Sequence, residues 1–374
     1  MRPTRALIYR RNLLSNLAIL REHIPRGTAV CAAVKADAYG HGAVTVASVL
    51  SEAGVESFGV ATVEEGQALR QAGVTLPVLL LGTLQDDELR DAVAAGLDLL
   101  VWSVPAVEAA AAEARNQGRG PSNPLRVHLK VDTGMGRGGC RPEDAETVAR
   151  AIVHALPLEL TGICTHFASS DGPGPVTVPQ QLTRFDEALG ALRSQGWTPR
   201  LIHAANSGGI VSWPASSFNL VRPGIALYGY PPPTPSAPRF LPVMELVSRV
   251  GYVKTVPRGT ALSYGSRYFT DRETDVATIP LGYADGYRRA WTNQAPVWIG
   301  GRLFRVSGTV CMDQFLVDVG PNSGIRIGDP VILFGPPQAS GEQPPTAAGL
   351  AALDHTISYE ILCGISARVP RLLV

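Results

Sequence analysis

From Thr28 to Tyr228 short apolar runs alternate with stretches in which apolar residues recur at helical spacing. The runs at 29–34, 57–61, 78–81, 98–101, 125–131, 160–165, 201–204 and 220–227 are apolar at nearly every position. That pattern predicts parallel strands covered on both faces. Between them, 64–71, 85–95, 107–117, 143–154 and 180–194 carry the spacing of amphipathic helices. About eight strand–helix units over about 200 residues predict an α/β fold. The repeat number favours a closed (β/α)8 TIM-type barrel over an open doubly wound sheet.

The texture changes at Tyr230-Pro-Pro-Pro-Thr-Pro-Ser-Ala-Pro238. Prolines at this density exclude helix interior and central strand, and they stiffen a connection. The domain boundary is placed there, with a barrel over 1–235 and a second domain over 236–374. In the second half, 243–256, 274–279, 296–298, 303–308, 314–319 and 329–334 read as strands separated by glycine-rich turns. With one helical stretch at 346–353, this is a mostly-β C-terminal domain.

Charge narrows the function classes. The chain carries 33 Lys+Arg against 32 Asp+Glu, so no basic field recruits nucleic acid or an anionic membrane. Cys31, Cys140, Cys164, Cys311 and Cys363 are scattered and lack Cys-x-x-Cys spacing, which reads as reduced thiols. No His-Glu-x-x-His spacing occurs among the histidines, and no metal is expected. Arg2, Arg5, Arg10 and Arg11 interrupt any apolar run at the start, so neither a signal peptide nor a membrane span is expected there. The expected compartment is cytoplasmic.

Candidate chemistry begins at Ala33-Val-Lys-Ala-Asp-Ala-Tyr-Gly-His-Gly42. A lysine at the end of an apolar strand is partly desolvated, which lowers its pKa and makes it a nucleophile toward aldehydes. The glycines allow close approach to a ligand, and the helix expected after them offers free N–H groups to a phosphate. A phosphorylated aldehyde, pyridoxal 5'-phosphate, fits that combination. In a parallel barrel, function gathers at the carboxyl ends of the strands. Lys35, Lys130, Asp132, Arg137, His166, Asn206, Ser207 and Arg222 all fall there. Ser207, the Gly224 and Ile225 amides and the Tyr39 hydroxyl are candidate phosphate donors. Singly, each has a plain structural reading, such as a core histidine or a helix cap; together they converge on one rim.

The chain resembles the alanine racemases. The likeness rests on Val34-Lys-Ala-Asp-Ala-Tyr-Gly-His-Gly42, Asp132-Thr-Gly-Met-Gly-Arg137, Thr165-His-Phe-Ala168, Asn206-Ser207, Arg222-Pro-Gly-Ile-Ala-Leu-Tyr-Gly229, Ser263-Tyr-Gly265, Gly282-Tyr-Ala-Asp-Gly286, Cys311-Met-Asp313 and Thr356-Ile-Ser-Tyr-Glu360. The resemblance implies interconversion of L- and D-alanine, with D-alanine destined for peptidoglycan. It implies that Lys35 holds the aldehyde of pyridoxal 5'-phosphate and that Tyr39, Ser207, Gly224, Ile225 and Tyr359 hold its phosphate. Arg222 would face the pyridine nitrogen, with His166 nearby and Asn206 in the same loop. Arg137 and Met312 would bind the substrate carboxylate or the cofactor hydroxyl side. Lys130 matches a lysine that is carbamylated in some members. Tyr264 is implied as the second acid–base residue, supplied with Met312 by the partner in a head-to-tail homodimer. Tyr283 and Arg289 match residues on the substrate's way in. One departure is Arg5, where the family often has an aromatic residue.

Chemistry agrees with these roles. Inversion at a carbon needs acid–base groups on opposite faces, here Lys35 and Tyr264. An arginine at the ring nitrogen stays protonated and donates, which leaves a neutral ring and a weaker electron sink. That disfavours an amino-acid decarboxylase, which gains from a protonated ring. A broad or serine-preferring racemase remains an alternative reading. A non-catalytic pyridoxal-phosphate carrier is disfavoured, because it needs neither Tyr264 nor a β domain.

Overall fold

The structure, a computed structural model, describes residues 2–172, 174–232 and 238–374. The chain opens with strand β1 (Arg5–Ile8) and the helix Arg10–Glu22, which buries Leu13, Asn16, Leu17 and Leu20 at helical spacing. Eight parallel strands follow: β2 (Ala29–Ala33), β3 (Ser57–Val60), β4 (Val78–Leu80), β5 (Asp98–Val101), β6 (Leu125–Lys130), β7 (Leu158–Cys164), β8 (Leu201–His203) and β9 (Leu220–Val221). Their order is β8-β7-β6-β5-β4-β3-β2-β9. Helices between them start on side-chain caps where the sequence supplies them, at Thr62 with Glu65, at Ser103, and at Thr177 with Gln180.

The last seam of the barrel is not a ladder. Arg222 N–H donates to the Ala205 carbonyl at 2.8 Å, and Asn219 accepts from Ile202 N–H at 2.7 Å while donating to the Arg200 carbonyl at 2.8 Å. The eighth strand is shorter than the apolar run 220–227 predicts. Pro223 has no N–H to pair, and the Gly224 and Ala226 amides donate to Ser207 Oγ at 3.0 and 3.2 Å. The Pro223 carbonyl still accepts from Ala33 N–H of β2 at 2.9 Å, and beyond it the chain leaves the sheet and turns across the mouth of the barrel.

The second sheet system holds β10 (Met244–Arg249), β11 (Tyr252–Val256), β12 (Ala261–Leu262), β13 (Tyr268–Phe269), β14 (Thr274–Ile279), β15 (Pro296–Ile299), β16 (Arg302–Arg305), β17 (Phe315–Gly320), β18 (Pro330–Phe334) and β19 (Arg371–Leu373). The run 243–256, read as one strand, is two. Val250 N–H bonds to the Asp329 carbonyl and Gly251 N–H to the Thr278 carbonyl, so the chain turns a corner from one sheet into another. β10 joins a six-stranded sheet ordered β16-β15-β18-β10-β1-β19, and β11 joins a three-stranded sheet ordered β11-β14-β17. Both ends of the chain thus lie in the second domain's sheet, with β1 antiparallel to β10 and parallel to β19. The boundary read between 235 and 236 falls in 233–237, outside the described residues.

Asn16 ties the first helix to both sides of the proline-rich passage. Its amide nitrogen donates to the Leu227 and Leu241 carbonyls at 2.9 and 2.8 Å, and its oxygen accepts from Leu241 N–H at 2.8 Å. Asn16→Ala leaves these buried groups without partners and is expected to destabilise the protein by about 3 kcal/mol. The urea unfolding midpoint measures this, and an unchanged midpoint would remove Asn16 from that role.

Candidate active site

At the carboxyl ends of the barrel strands lies a cavity of about 470 Å³. Lys35, Tyr39, Lys130, Arg137, His166, Asn206, Ser207, Arg222, Gly224, Ile225 and Tyr359 all line it. Four of these side chains are cationic, and no carboxylate is among the lining residues.

Lys35 follows β2 and enters an unusual turn. Ala36, Asp37, Ala38 and Tyr39 have φ of 52°, 52°, 53° and 54°, one turn of left-handed helix. Such a conformation costs L-residues roughly 1–2 kcal/mol each, so neighbours must hold it. Glu65 accepts from Ala36 N–H at 2.6 Å, and Arg371 donates to the Gly40 carbonyl at 2.9 Å. His41, buried and neutral, donates from Nδ1 to the Ala38 and Tyr39 carbonyls. Gly40 has φ +82°, and a Cβ there would strike the Leu362 carbonyl. The turn aims Tyr39 at the cavity, its ring 5.9 Å from that of Tyr359 in the helix Ser358–Cys363.

The helix expected after the glycines is present at Ala43–Glu52, but its N-terminus does not face the cavity. The Asp37 carboxylate accepts from Ala43 N–H at 2.7 Å and occupies the place read as a phosphate site. Anion donors come from elsewhere. Ser207 Oγ accepts from the Gly224 and Ala226 amides, so its own proton is free for a ligand. Ile225 N–H and the Tyr39 and Tyr359 hydroxyls have no partner among the described residues. Asn206 caps the helix Ser207–Ser212 through Gly209 N–H at 2.9 Å.

Arg137 is presented by a braced loop. Asp132 Oδ1 accepts from the amides of Gly134, Met135 and Gly136, so this rim carboxylate shapes the loop and does not line the cavity. Lys130 Nζ lies 5.4 Å from the centre of the Trp102 ring. Burial first, and the nearby Arg137 cation second, hold Lys35 below the ordinary lysine pKa; burial likewise lowers Lys130. Arg222 is buried, and its guanidinium reaches His203 Nδ1 at 2.5 Å, the Thr165 and Ala204 carbonyls at 2.7 and 3.1 Å, and His166 Nδ1 at 3.3 Å. Burial and the arginine hold His166 and His203 well below the usual histidine pKa.

Tyr264, Met312, Tyr283 and Arg289 are not at this cavity. Tyr264, Met312 and Tyr283 are 73%, 51% and 42% exposed on the second domain. Their loops are knitted together: Thr309 donates to the Tyr264 carbonyl, and the amides of Tyr283 and Ala284 donate to the carbonyls of Cys311 and Met312. Tyr264 rides on a turn in which Ser263, Gly265 and Ser266 all have positive φ. Sequence reading missed Glu65 and Arg371, which clamp the turn, and His203, which holds Arg222. His203 carried one signal: like His166, it is a polar residue at the end of an apolar barrel strand.

Comparison with known proteins matches these features along the whole chain. The family model "Alanine racemase, N-terminal domain" matches residues 8–232, and "Alanine racemase, C-terminal domain" matches 243–373. The alanine racemase of Symbiobacterium thermophilum is 42% identical over 373 residues, covering 99% of this chain and 97% of its own. That of Treponema denticola is 38% identical over 380 residues, covering 100% and 99%. Among solved structures, alanine racemase from Streptomyces coelicolor A3(2) superposes with a TM-score of 0.91 at 40% identity, covering 100% of this chain and 98% of that one. The Clostridium difficile 630 alanine racemase gives 0.92 at 35%, covering 100% and 96%. The chain belongs to the alanine racemase family of pyridoxal 5'-phosphate-dependent isomerases.

Proposed function

We propose that this chain interconverts L- and D-alanine in a site completed by two copies, with Lys35 working one face of the substrate and Tyr264 of a second copy the other. The observation that carries this reading is the cavity's chemistry: a lysine of lowered basicity among anion donors, with no carboxylate lining it. The cavity fits pyridoxal 5'-phosphate, since the Tyr39 and Tyr359 hydroxyls and Ile225 N–H are unpaired among the described residues and a Cβ at Gly224 would fill the cradle against Tyr39. When bound, that cofactor supplies an electron sink that acidifies the α-hydrogen of an amino acid.

The chain's residues do the rest. Lys35 would hold the cofactor's aldehyde, and its free amine would take or return the α-proton on its own face. Tyr39, Ser207, Gly224, Ile225 and Tyr359 hold the phosphate; the Gly224 amide acts through Ser207, whose hydroxyl it steadies. Arg222 would donate to the ring nitrogen, with His166 and Asn206 lining the same part of the cavity. Arg137, with the Met312 backbone of the second copy, takes the substrate carboxylate. Tyr283 and Arg289 line the way in. Lys130, buried beside the Arg137 loop with lowered basicity, suits capture of carbon dioxide as a carbamate that pairs with Arg137. A head-to-tail homodimer is favoured because Tyr264, Tyr283 and Met312 stand exposed on one knitted set of loops. In this setting D-alanine serves peptidoglycan assembly and catalysis takes place in the cytoplasm. Among the described residues no helix is long and apolar enough to cross a membrane.

Two experiments test the assignment. Lys35 is protonated and inert to aldehydes below its midpoint, and a free amine above it. In cofactor-stripped protein, imine formation with pyridoxal 5'-phosphate should therefore titrate below the ordinary value of 10.5. Arg137→Ala should raise the midpoint but not restore it, because desolvation is the larger cause. Borohydride reduction and peptide mapping should place the label on Lys35; a label on another lysine overturns the assignment.

Lys35→Ala and Tyr264→Phe alone should each lose roughly 10²- to 10⁴-fold in kcat. Unfolded and refolded together, the two variants should recover activity, because a hybrid dimer pairs one native Lys35 with one native Tyr264. Random pairing gives roughly one quarter of the native rate. No recovery would place Tyr264 in its own subunit's site or in none.

A further inference from the structure

Arg222 is a buried cation whose four acceptors are two backbone carbonyls and two imidazole nitrogens, none of them a carboxylate. The contact with His203 continues inward. His203 Nε2 lies 2.8 Å from His128 Nδ1, and His128 Nε2 is buried with no partner among the described residues. Donor counting orders the protons along this row. A guanidinium only donates, so His203 Nδ1 must accept and the His203 proton must sit on Nε2. That proton points at His128 Nδ1, which must accept in turn and place its own proton on Nε2. A second proton on either ring would set N–H against N–H.

The row is built into the barrel. His128 lies on β6 and His203 at the end of β8, so the contact passes over β7, the strand between them. The residue of β7 paired with His128 is Gly162, where a Cβ would collide with His128 Nδ1. Glycine leaves the opening through which the two rings meet.

We propose that His128 is a positioning residue for the racemisation: it takes the Nε2 proton of His203, which aims the His203 lone pair at Arg222 and holds that guanidinium in place without cancelling its charge. A carboxylate in the position of His203 would hold Arg222 equally well but neutralise its field at the cavity. Neutral imidazoles orient and do not neutralise. Burial keeps His128 neutral, down to about 3, which agrees with the order of protons. The catalytic half of this inference rests on the reading that Arg222 faces the cofactor ring; the order of protons does not.

The test uses holoenzyme labelled with 15N at histidine. Native His203 should show a protonated Nε2 and an unprotonated Nδ1. His128→Leu should displace the His203 signals and lower kcat about tenfold, the size expected from one buried N–H without its acceptor, with KM for alanine moving less than about twofold. Gly162→Ala, which pushes the ring aside, should reproduce both effects. His128→Asn, whose side-chain oxygen replaces Nδ1 as acceptor, should restore both. A proton on His203 Nδ1 in the native enzyme overturns the proposal, and that measurement needs no variant to fold. Unchanged spectra and kcat in His128→Leu and Gly162→Ala overturn it as well, and so do equal losses in the Leu and Asn variants, which would reduce His128 to packing. If Arg222 does not face the ring, Arg222→Lys leaves kcat unchanged while the native 15N pattern persists, a result that separates the two failures.

Discussion

Arg222 is buried at the mouth of the barrel with no carboxylate of the described residues within hydrogen-bond reach, and much of the site follows from how that charge is accommodated. Burying a cation is costly unless its donors are satisfied. Here the acceptors are carbonyls that end barrel strands and imidazoles kept neutral by the same burial. The positive field is left for the cavity. Lys35 and Lys130 lose basicity chiefly through burial, with Arg137 and then Arg222 adding to it, which in Lys35 favours the free amine that an aldehyde requires. Anion binding and amine activation therefore both draw on a cavity that is cation-rich and withdrawn from water.

The second constraint is conformational. A left-handed turn of four residues with side chains cannot persist on local energetics. Its clamps come from distant parts of the chain: Glu65 from the helix Val63–Gln71, and Arg371 from β19. Arg371 also donates to the carbonyls of Ile365, Ser366 and Val369, so the same guanidinium fixes the segment that follows the Tyr359 helix. The two domains thus meet where Lys35 and Tyr39 are presented. The second domain holds the strained turn in its own chain while it offers Tyr264 outward.

Much of this was legible in the sequence, for reasons that differ by element. Barrel strands buried on both faces announce themselves as short apolar runs, and 98–101 and 274–279 were read to the residue. The run 220–227 misled because apolar character reports burial, not pairing: Ile225 and Leu227 are buried in a turn. The helix after Gly42 was correctly expected, but its N-terminus was already occupied, since Asp37 lies six residues before Ala43 and only the left-handed turn brings them together. β1 and β19 were not read. Three or four residues carry no periodicity, and their pairing joins opposite ends of the chain. Lys35, Tyr39, His166, Ser207 and Arg222 were legible because a parallel barrel gathers its strand ends. His128 was not, although it stands two residues before Lys130 and so shares its face of β6. A histidine inside an apolar strand looks like packing until its partner, seventy-five positions away, is known.

What the single chain leaves open argues for a second copy. The cavity has Lys35, while Tyr264, the proposed second acid–base group, stands largely exposed on the other domain. An exposed tyrosine on a flexible loop would be unremarkable. This one sits on a turn with three positive-φ residues, is held through its carbonyl by Thr309, and adjoins Ser263, whose hydroxyl donates to the Thr309 carbonyl. Strain of this kind lasts only where the surroundings over-determine it, and it usually marks a side chain whose direction matters. In the proposed head-to-tail pair, a tyrosine held in this way would face the other subunit's Lys35, and the cost of holding it exposed in one chain would be offset by burial between two.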